Sequence, residues 1–258
     1  MVIKLGTVMN RQFALVIMLG ALFQVIGCAT PKGNANSYEP DDEVVVLAHG
    51  LGRSDWAMWK FAQRLEYANY KVCRLDYTTI GESVNDVLTE TSKQIDACII
   101  NVANVHFVGH SLGGLVIRAY LQESKLIHEE VNVGKVVLIG TPNKGSELAD
   151  HFKDSWLMDI GGGISRALVT GNDSLGNSLD NNLGEVDYDV GIIAGTKSSR
   201  LTGGKFTGPN DGLVSVESAK LVNMSDFIAI NVGHSQMRYN IDVSEQTIHF
   251  LQKGTFKY

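Results

Sequence analysis

The stretch Val105 to Gly114, VHFVGHSLGG, limits what this chain can fold into more than any other. A short apolar run leads into Gly109-His110-Ser111-Leu112-Gly113-Gly114, and apolar residues at helical spacing follow at Leu115, Val116, Ala119 and Tyr120. A G-x-S-x-G sequence between a strand and a helix is a sharp turn that lifts a serine above the edge of a sheet, with small residues where the two backbones pass close together. A serine hydroxyl is a poor nucleophile until a neighbouring base takes its proton, so a serine displayed in this way asks for a base and an acid elsewhere in the chain. The first amides of the following helix, above all that of Leu112, point to where a tetrahedral intermediate would carry negative charge.

The rest of the chain supplies the sheet. Val44 to Leu47, Val72 to Leu75, Val105 to Val108, Lys135 to Ile139, Asp189 to Ala194 and Phe227 to Val232 read as strands. Helical patterns lie between or after them at Asp55 to Ala68, through Trp56, Trp59, Phe61 and Leu65, and at Val84 to Val102, Leu112 to Gln122 and Val243 to Leu251. Strands that are apolar on both faces and alternate with helices predict an α/β fold with a mostly parallel sheet covered on both sides, whose ligands bind at the carboxyl ends of the strands. With 258 residues, 44% hydrophobic, the chain is long enough for one large core. Residues 143–185 break this pattern with glycine and asparagine and read as a cap-like insertion over the site. In it Trp156, Leu157, Met158 and Ile160 form either a lip for an acyl chain or a helix face packed on the core.

A base must arrive on a loop after a late strand, and His234 does so, after Ile228 to Val232 and Gly233. His49 and His110 sit beside the two expected turns, His106 within a strand, and His128, His151 and His249 on helix or insertion surfaces. A solvated or hydrogen-bonded imidazole is the ordinary identity for these. The base needs a carboxylate to hold its tautomer, and Asp211, in Gly208-Pro209-Asn210-Asp211-Gly212-Leu213-Val214, gives the order Ser, Asp, His. Asp226 is the alternative acid, but it precedes a strand and so belongs at the wrong edge of the sheet, as do Asp187 and Asp189.

Together, His49-Gly50-Leu51-Gly52, Gly109 to Gly114, Gly140-Thr141-Pro142 with Gly145-Ser146, Asn210-Asp211-Gly212 and Gly233-His234 resemble bacterial lipases and esterases of the α/β-hydrolase superfamily. The resemblance implies the α/β-hydrolase fold and hydrolysis of carboxylic esters by a catalytic set of Ser111, Asp211 and His234. It also implies an oxyanion hole from the amides of Leu51 and Leu112 and an acyl ester or lipid substrate, with neither cofactor nor metal. The insertion is shorter than the helical lid of interfacially activated lipases. No acid cluster matches the calcium site of the larger ones, and Asp173, Asp180 and Asp187 read as solvated loop residues. The same triad would serve an acyltransferase or thioesterase, and a non-catalytic binding lipoprotein is the reading from a different class.

Residues 1–27 carry Lys4 and Arg11 and no acid, followed by the apolar run Phe13 to Ile26, interrupted by Gln24. About fourteen residues fall short of the roughly twenty that cross a bilayer, and the arrangement reads as a secretory signal. Val25-Ile26-Gly27-Cys28 resembles the bacterial lipobox, which implies cleavage before Cys28 and lipid on its thiol, and Ala29 in the next position implies the outer membrane. Residues 28–42, rich in Pro, Gly, Asn and Ser, read as a tether, with the folded domain at 43–258. Loss of the two signal-peptide cations takes the net charge from −6 to about −8, which excludes nucleic acid as a partner. Cys73 and Cys98 remain, either paired as a disulfide or as two buried thiols.

Overall fold

Val44, Val45, Val46 and Leu47 offer no polar side chain to either face of a strand, so this segment is stable only with both faces covered. In the computed structural model, which describes residues 38–123, 131–152, 162–170, 175–180 and 188–258, it is β1 (Glu43–Ala48), and Val44 to Ala48 are fully buried. It is joined by β2 (Lys71–Arg74), β3 (Asn104–His110), β4 (Asn132–Ile139), β5 (Asp189–Gly195) and β6 (Asp226–Ile230). The strands form one sheet, in the order β2-β1-β3-β4-β5-β6, and every neighbouring pair is parallel. The chain moves outward from β1 to β2 and then crosses to the other side of β1 to lay down β3. Loops leaving β1 and β3 therefore diverge in opposite directions, which opens a crevice at their carboxyl ends.

Side chains alternate between the two faces along each strand. Val44, Val46 and Ala48, with Val105, Phe107, Val136, Leu138, Val190 and Ile192, pack against α2 (Val84–Ile99), α3 (Leu112–Glu123) and α5 (Leu175–Asp180). Val45, Leu47, Val108, Val137, Ile139 and Ile193 pack instead against α1 (Trp59–Tyr67) and α7 (Ile241–Lys253). Two short helices, α4 (Glu147–Phe152) and α6 (Val216–Ala219), complete the labelled elements. Caps set the ends of the long ones: Ser83 accepts from the Asp86 amide before α2, Asn240 accepts from the Val243 amide before α7, and Gly254 ends α7 in the left-handed conformation at φ 77°. Cys73 on β2 and Cys98 on α2 form a disulfide across a Cα separation of 6.1 Å, which fastens the edge strand to the helix beside it. Among the described residues no helix is long and apolar enough to cross a membrane.

Several boundaries differ from those the periodicity predicts. The segment from Asp55 begins as a 3-10 turn (Asp55–Met58), and Met58, Phe61, Ala62 and Leu65 face the core while Trp56 and Trp59 stand 70% and 44% exposed. The tryptophans are therefore not part of the packed face. α2 stops at Ile99 because Asn101 turns the chain at φ 62°. β4 starts three residues early, where Asn132 and Val133 pair with Asn104 and Val105. β6 ends at Ile230, although Val232 beyond it is still buried. The domain also extends below residue 43: Tyr38 is buried, and the Ala103 amide donates to the Pro40 carbonyl. Within 143–185, Ile164, Leu175 and Leu179 belong to the main core. The signal segment, Cys28, His128, the cluster at 156–160, Asp173 and Asp187 lie outside the described residues.

Candidate active site

Ser111 stands between β3 and α3 with φ 57°, a left-handed conformation that an L-residue takes only when its surroundings hold it there. Its amide donates to the Ile139 carbonyl at 2.9 Å, and its own carbonyl accepts from Gly114 at 3.0 Å. The flanking glycines are compulsory on steric grounds. A Cβ on Gly109 would sit 2.5 Å from Gly114 Cα, one on Gly113 would run into the Ala48 carbonyl, and one on Gly114 would strike the Thr141 side chain.

His234 opens a 3-10 turn (His234–Gln236) after β6, and its Nε2 lies 2.9 Å from Ser111 Oγ. Its Nδ1 lies 2.8 Å from Asp211 Oδ2. Asp211 Oδ1 accepts from the amides of Leu213 at 2.9 Å and Val214 at 2.8 Å, and the Asp211 carbonyl accepts the His234 amide at 3.0 Å. The carboxylate is wholly shielded from solvent and the imidazole nearly so. A carboxylate engaged in this way only accepts, so the imidazole proton sits on Nδ1 and the lone pair on Nε2 faces the serine. Asp226 lies at the start of β6, where it accepts from the amides of Phe227 and Phe256 and from the Tyr258 hydroxyl. It fastens the C-terminal tail and is remote from the site.

The loop after β1 closes on the same serine: a Cβ on Gly50 would be 3.0 Å from Ser111 Cβ. His49 holds this loop. Its Nδ1 donates to the Gly50 carbonyl at 2.9 Å, its ring stacks on Tyr77 with centroids 4.0 Å apart, and the Tyr77 hydroxyl donates to the His49 carbonyl. Thr79 Oγ1 accepts the Gly52 amide at 2.8 Å. Among the described residues the amides of Leu51 and Leu112 donate to no backbone acceptor outside the helices and strands. Burial holds the His49 pKa below the ordinary histidine value.

Two supports escaped the sequence reading. His110 donates from Nε2 to the His234 carbonyl at 3.0 Å, with ring centroids 4.8 Å apart, so it holds the turn that carries His234. Burial, reinforced by the charge of His234, pushes the His110 pKa well below the usual value and keeps the ring neutral. Gly140, quoted above only as part of a pattern, has φ 56°, and a Cβ there would lie 3.2 Å from His234 Nδ1 and 3.3 Å from Asp211 Oδ2. Its signal was the Gly140-Thr141-Pro142 run directly after a buried strand. The remaining described histidines are occupied elsewhere: His106 by Glu43 and the Lys135 amide, His151 by Lys205, and His249 by the Thr255 carbonyl.

A cavity of about 470 Å³ opens onto Ser111 and His234. Its wall is largely apolar, from residues that include Leu51, Ile80, Pro142, Leu148, Leu168 and Leu213, and its charged members among the described residues are Arg53 and Arg238. Among the described residues no group of three or more His, Cys, Asp or Glu side chains converges as metal ligands do.

A parallel six-stranded sheet with helices on both faces and an Oγ–imidazole–carboxylate chain at its carboxyl edge defines the α/β-hydrolase fold. Solved structures agree. Lipase BlEst2 of Bacillus licheniformis in its mature form is similar with a TM-score of 0.68 at 21% identity, over 84% of this chain and 94% of that one. A lipase-esterase related protein from Clostridium acetobutylicum is similar with a TM-score of 0.53 at 16% identity, over 85% and 96%. The metagenomic carboxyl esterase MGS0156 is similar with a TM-score of 0.54 at 15% identity, over 76% and 65%. At such identities the likeness establishes the fold. A family described as a domain of unknown function, DUF7379, matches residues 31–203, and the chain belongs to that family. No curated protein matches it.

Proposed function

We propose that the protein is a lipid-anchored serine hydrolase of the bacterial envelope that cleaves carboxylic esters through an acyl-enzyme on Ser111. The observation that carries this reading is the continuous chain from Ser111 Oγ through His234 to a fully buried Asp211, at 2.9 and 2.8 Å, on the wall of an apolar cavity. Ser111 Oγ attacks the acyl carbon as its proton passes to His234 Nε2, and Asp211 stabilises the imidazolium that forms. The carbonyl oxygen becomes an oxyanion facing the amides of Leu51 and Leu112, each such donor being worth about 3 kcal/mol in the transition state. Collapse breaks the ester C–O bond, and the proton on Nε2 goes to the departing alkoxide. Water then repeats the sequence on the acyl-enzyme: it gives one proton to Nε2, bonds to the acyl carbon, and releases the acid as Nε2 returns the proton to Oγ.

The anchor rests on the signal-like residues 1–27 and the lipobox-like Val25 to Cys28. Two experiments test the whole reading. A fluorophosphonate probe should label the wild type and not Ser111→Ala, and a p-nitrophenyl ester series from acetate to palmitate should be hydrolysed by the domain without its tether. A folded protein that neither takes the probe nor turns over any ester would overturn the proposal. Metabolic labelling with radioactive palmitate should mark the full chain and not Cys28→Ala.

A further inference from the structure

The charge of the cavity runs against that of the molecule. The chain has a net charge of −6, yet among the described residues the cavity wall includes no aspartate or glutamate and two arginines, Arg53 and Arg238. Arg53 follows Leu51 by two positions on the loop after β1, and Arg238 follows His234 by four, so each cation rides on a loop that also carries a residue of the site. Among the described residues neither has an ion-pair partner. Asp55, close to Arg53 in sequence, is taken by Arg74 at 3.3 Å. Arg238 is half-buried; one guanidinium nitrogen donates to the Ala57 carbonyl at 3.2 Å, and its Nε–H is buried with no acceptor. Burial and the neighbouring Arg53 both press the Arg238 pKa down, and both arginines press on His110. A half-buried Arg238 with no counter-charge, and with a second cation beside it, leaves a positive potential at the cavity wall that favours an anion. A guanidinium matches a carboxylate or a phosphate oxygen pair in geometry.

The leaving alcohol must meet His234 Nε2, because that atom returns its proton, and Arg238, four residues after His234, lines the same cavity. Resting on the hydrolase reading above, we propose that the cavity takes acyl esters whose alcohol half carries an anionic group, a carboxylate or a phosphate, seated on Arg53 and Arg238, with the acyl chain along Ile80, Leu148 and Leu168. A phospholipid headgroup and a soluble acidic ester share this chemistry, and the experiment separates them.

The soluble arm compares kcat/KM for 4-(butanoyloxy)benzoate with that for its methyl ester. The expected ratio is about tenfold in favour of the acid at low ionic strength, shrinking as salt is added. Arg53→Gln and Arg238→Gln should each lower that ratio several-fold, and Arg238→Lys should retain part of it. A ratio of one or less in the wild type, or a ratio unmoved in the variants, overturns the proposal. Arg53 is exposed, so its variant remains informative if Arg238→Gln folds poorly. The lipid arm measures fatty-acid release from phosphatidylglycerol and from diacylglycerol presented in otherwise identical vesicles. An arginine-dependent preference for the former assigns the anion to a headgroup, and a preference confined to the soluble pair assigns it to a soluble acidic ester. Calorimetry of decyl phosphate and decyl maltoside with Ser111→Ala gives a readout without turnover. Tighter, Arg53-dependent binding of the phosphate with no ester cleaved would keep the anion site and sink the hydrolase, whereas ester cleavage without charge preference would do the reverse.

Discussion

Two buried histidines sit at opposite ends of the sheet, and each touches a carboxylate. At the amino end His106 Nε2 is 2.7 Å from Glu43, and at the carboxyl end His234 Nδ1 is 2.8 Å from Asp211. The second ring nitrogen separates them. His106 Nδ1 accepts the Lys135 amide at 2.8 Å and has nothing left to offer, whereas His234 Nε2 faces the Ser111 hydroxyl. The acids differ too: the Glu43 side chain is half exposed and that of Asp211 is fully enclosed and fixed by two amides. An imidazole beside a carboxylate is thus a structural commonplace, and reactivity begins where one nitrogen is kept vacant for a nucleophile.

The sharpest way to break this contrast is at the serine: Ser111→Ala should lower kcat/KM for p-nitrophenyl butyrate by about 10⁵-fold or more with an unchanged melting temperature. Matched removal of the two acids comes next. Asp211→Asn should cost about 10⁴-fold in kcat, and Glu43→Gln less than about twofold; comparable losses in both would dissolve the distinction. Gly140→Ala forces a left-handed residue to carry a Cβ against His234 and Asp211, and should cost about 10²-fold in kcat by misplacing them and about 1–2 kcal/mol in stability. Cys73→Ala with Cys98→Ala removes the bridge over a separation of 25 residues and should cost about 3 kcal/mol in denaturant unfolding, with kcat at 25 °C preserved because the bridge lies away from the serine. The smallest effect is in acid. Burial, the leading cause for each, holds the pKa values of His49, His106 and His110 below the ordinary one, so near pH 6 the unfolded chain binds more protons than the folded protein. Their stabilisation is complete above about pH 6.5 and is lost as pH falls toward the lowered values. The urea midpoint should drop between pH 7 and pH 5, and less steeply in His106→Gln.

The sheet was legible because its strands are apolar on both faces, a pattern that surface strands and helices do not produce. The placing of Ser111, Asp211 and His234 at loops after strands followed from that reading, since a parallel sheet sends every such loop to one edge. What remained illegible depends on contacts distant in sequence. Nothing near His110 indicates that its ring will reach the His234 carbonyl, and nothing near Gly140 that an acid and an imidazole will crowd its α-carbon. The tryptophans misled because helical spacing ignores where a 3-10 turn rotates the face, and Tyr38 because one aromatic residue in a polar tract carries no periodicity. Arg53 and Arg238 were within reach, being two and four positions from residues already singled out, but a lone arginine in a loop is usually solvated.

The order of the strands has a consequence for biogenesis. The Ser111 hydroxyl directly follows a central strand laid down early, while the imidazole it faces, His234, arrives after the final strand, more than a hundred residues later. A chain whose C-terminal part has not yet folded therefore displays an inert alcohol. The Ser111–His234–Asp211 chain is complete only when the C-terminal portion docks, so under the proposed mechanism any ester hydrolysis in a refolding reaction should appear only with the whole domain, with no partial burst before it.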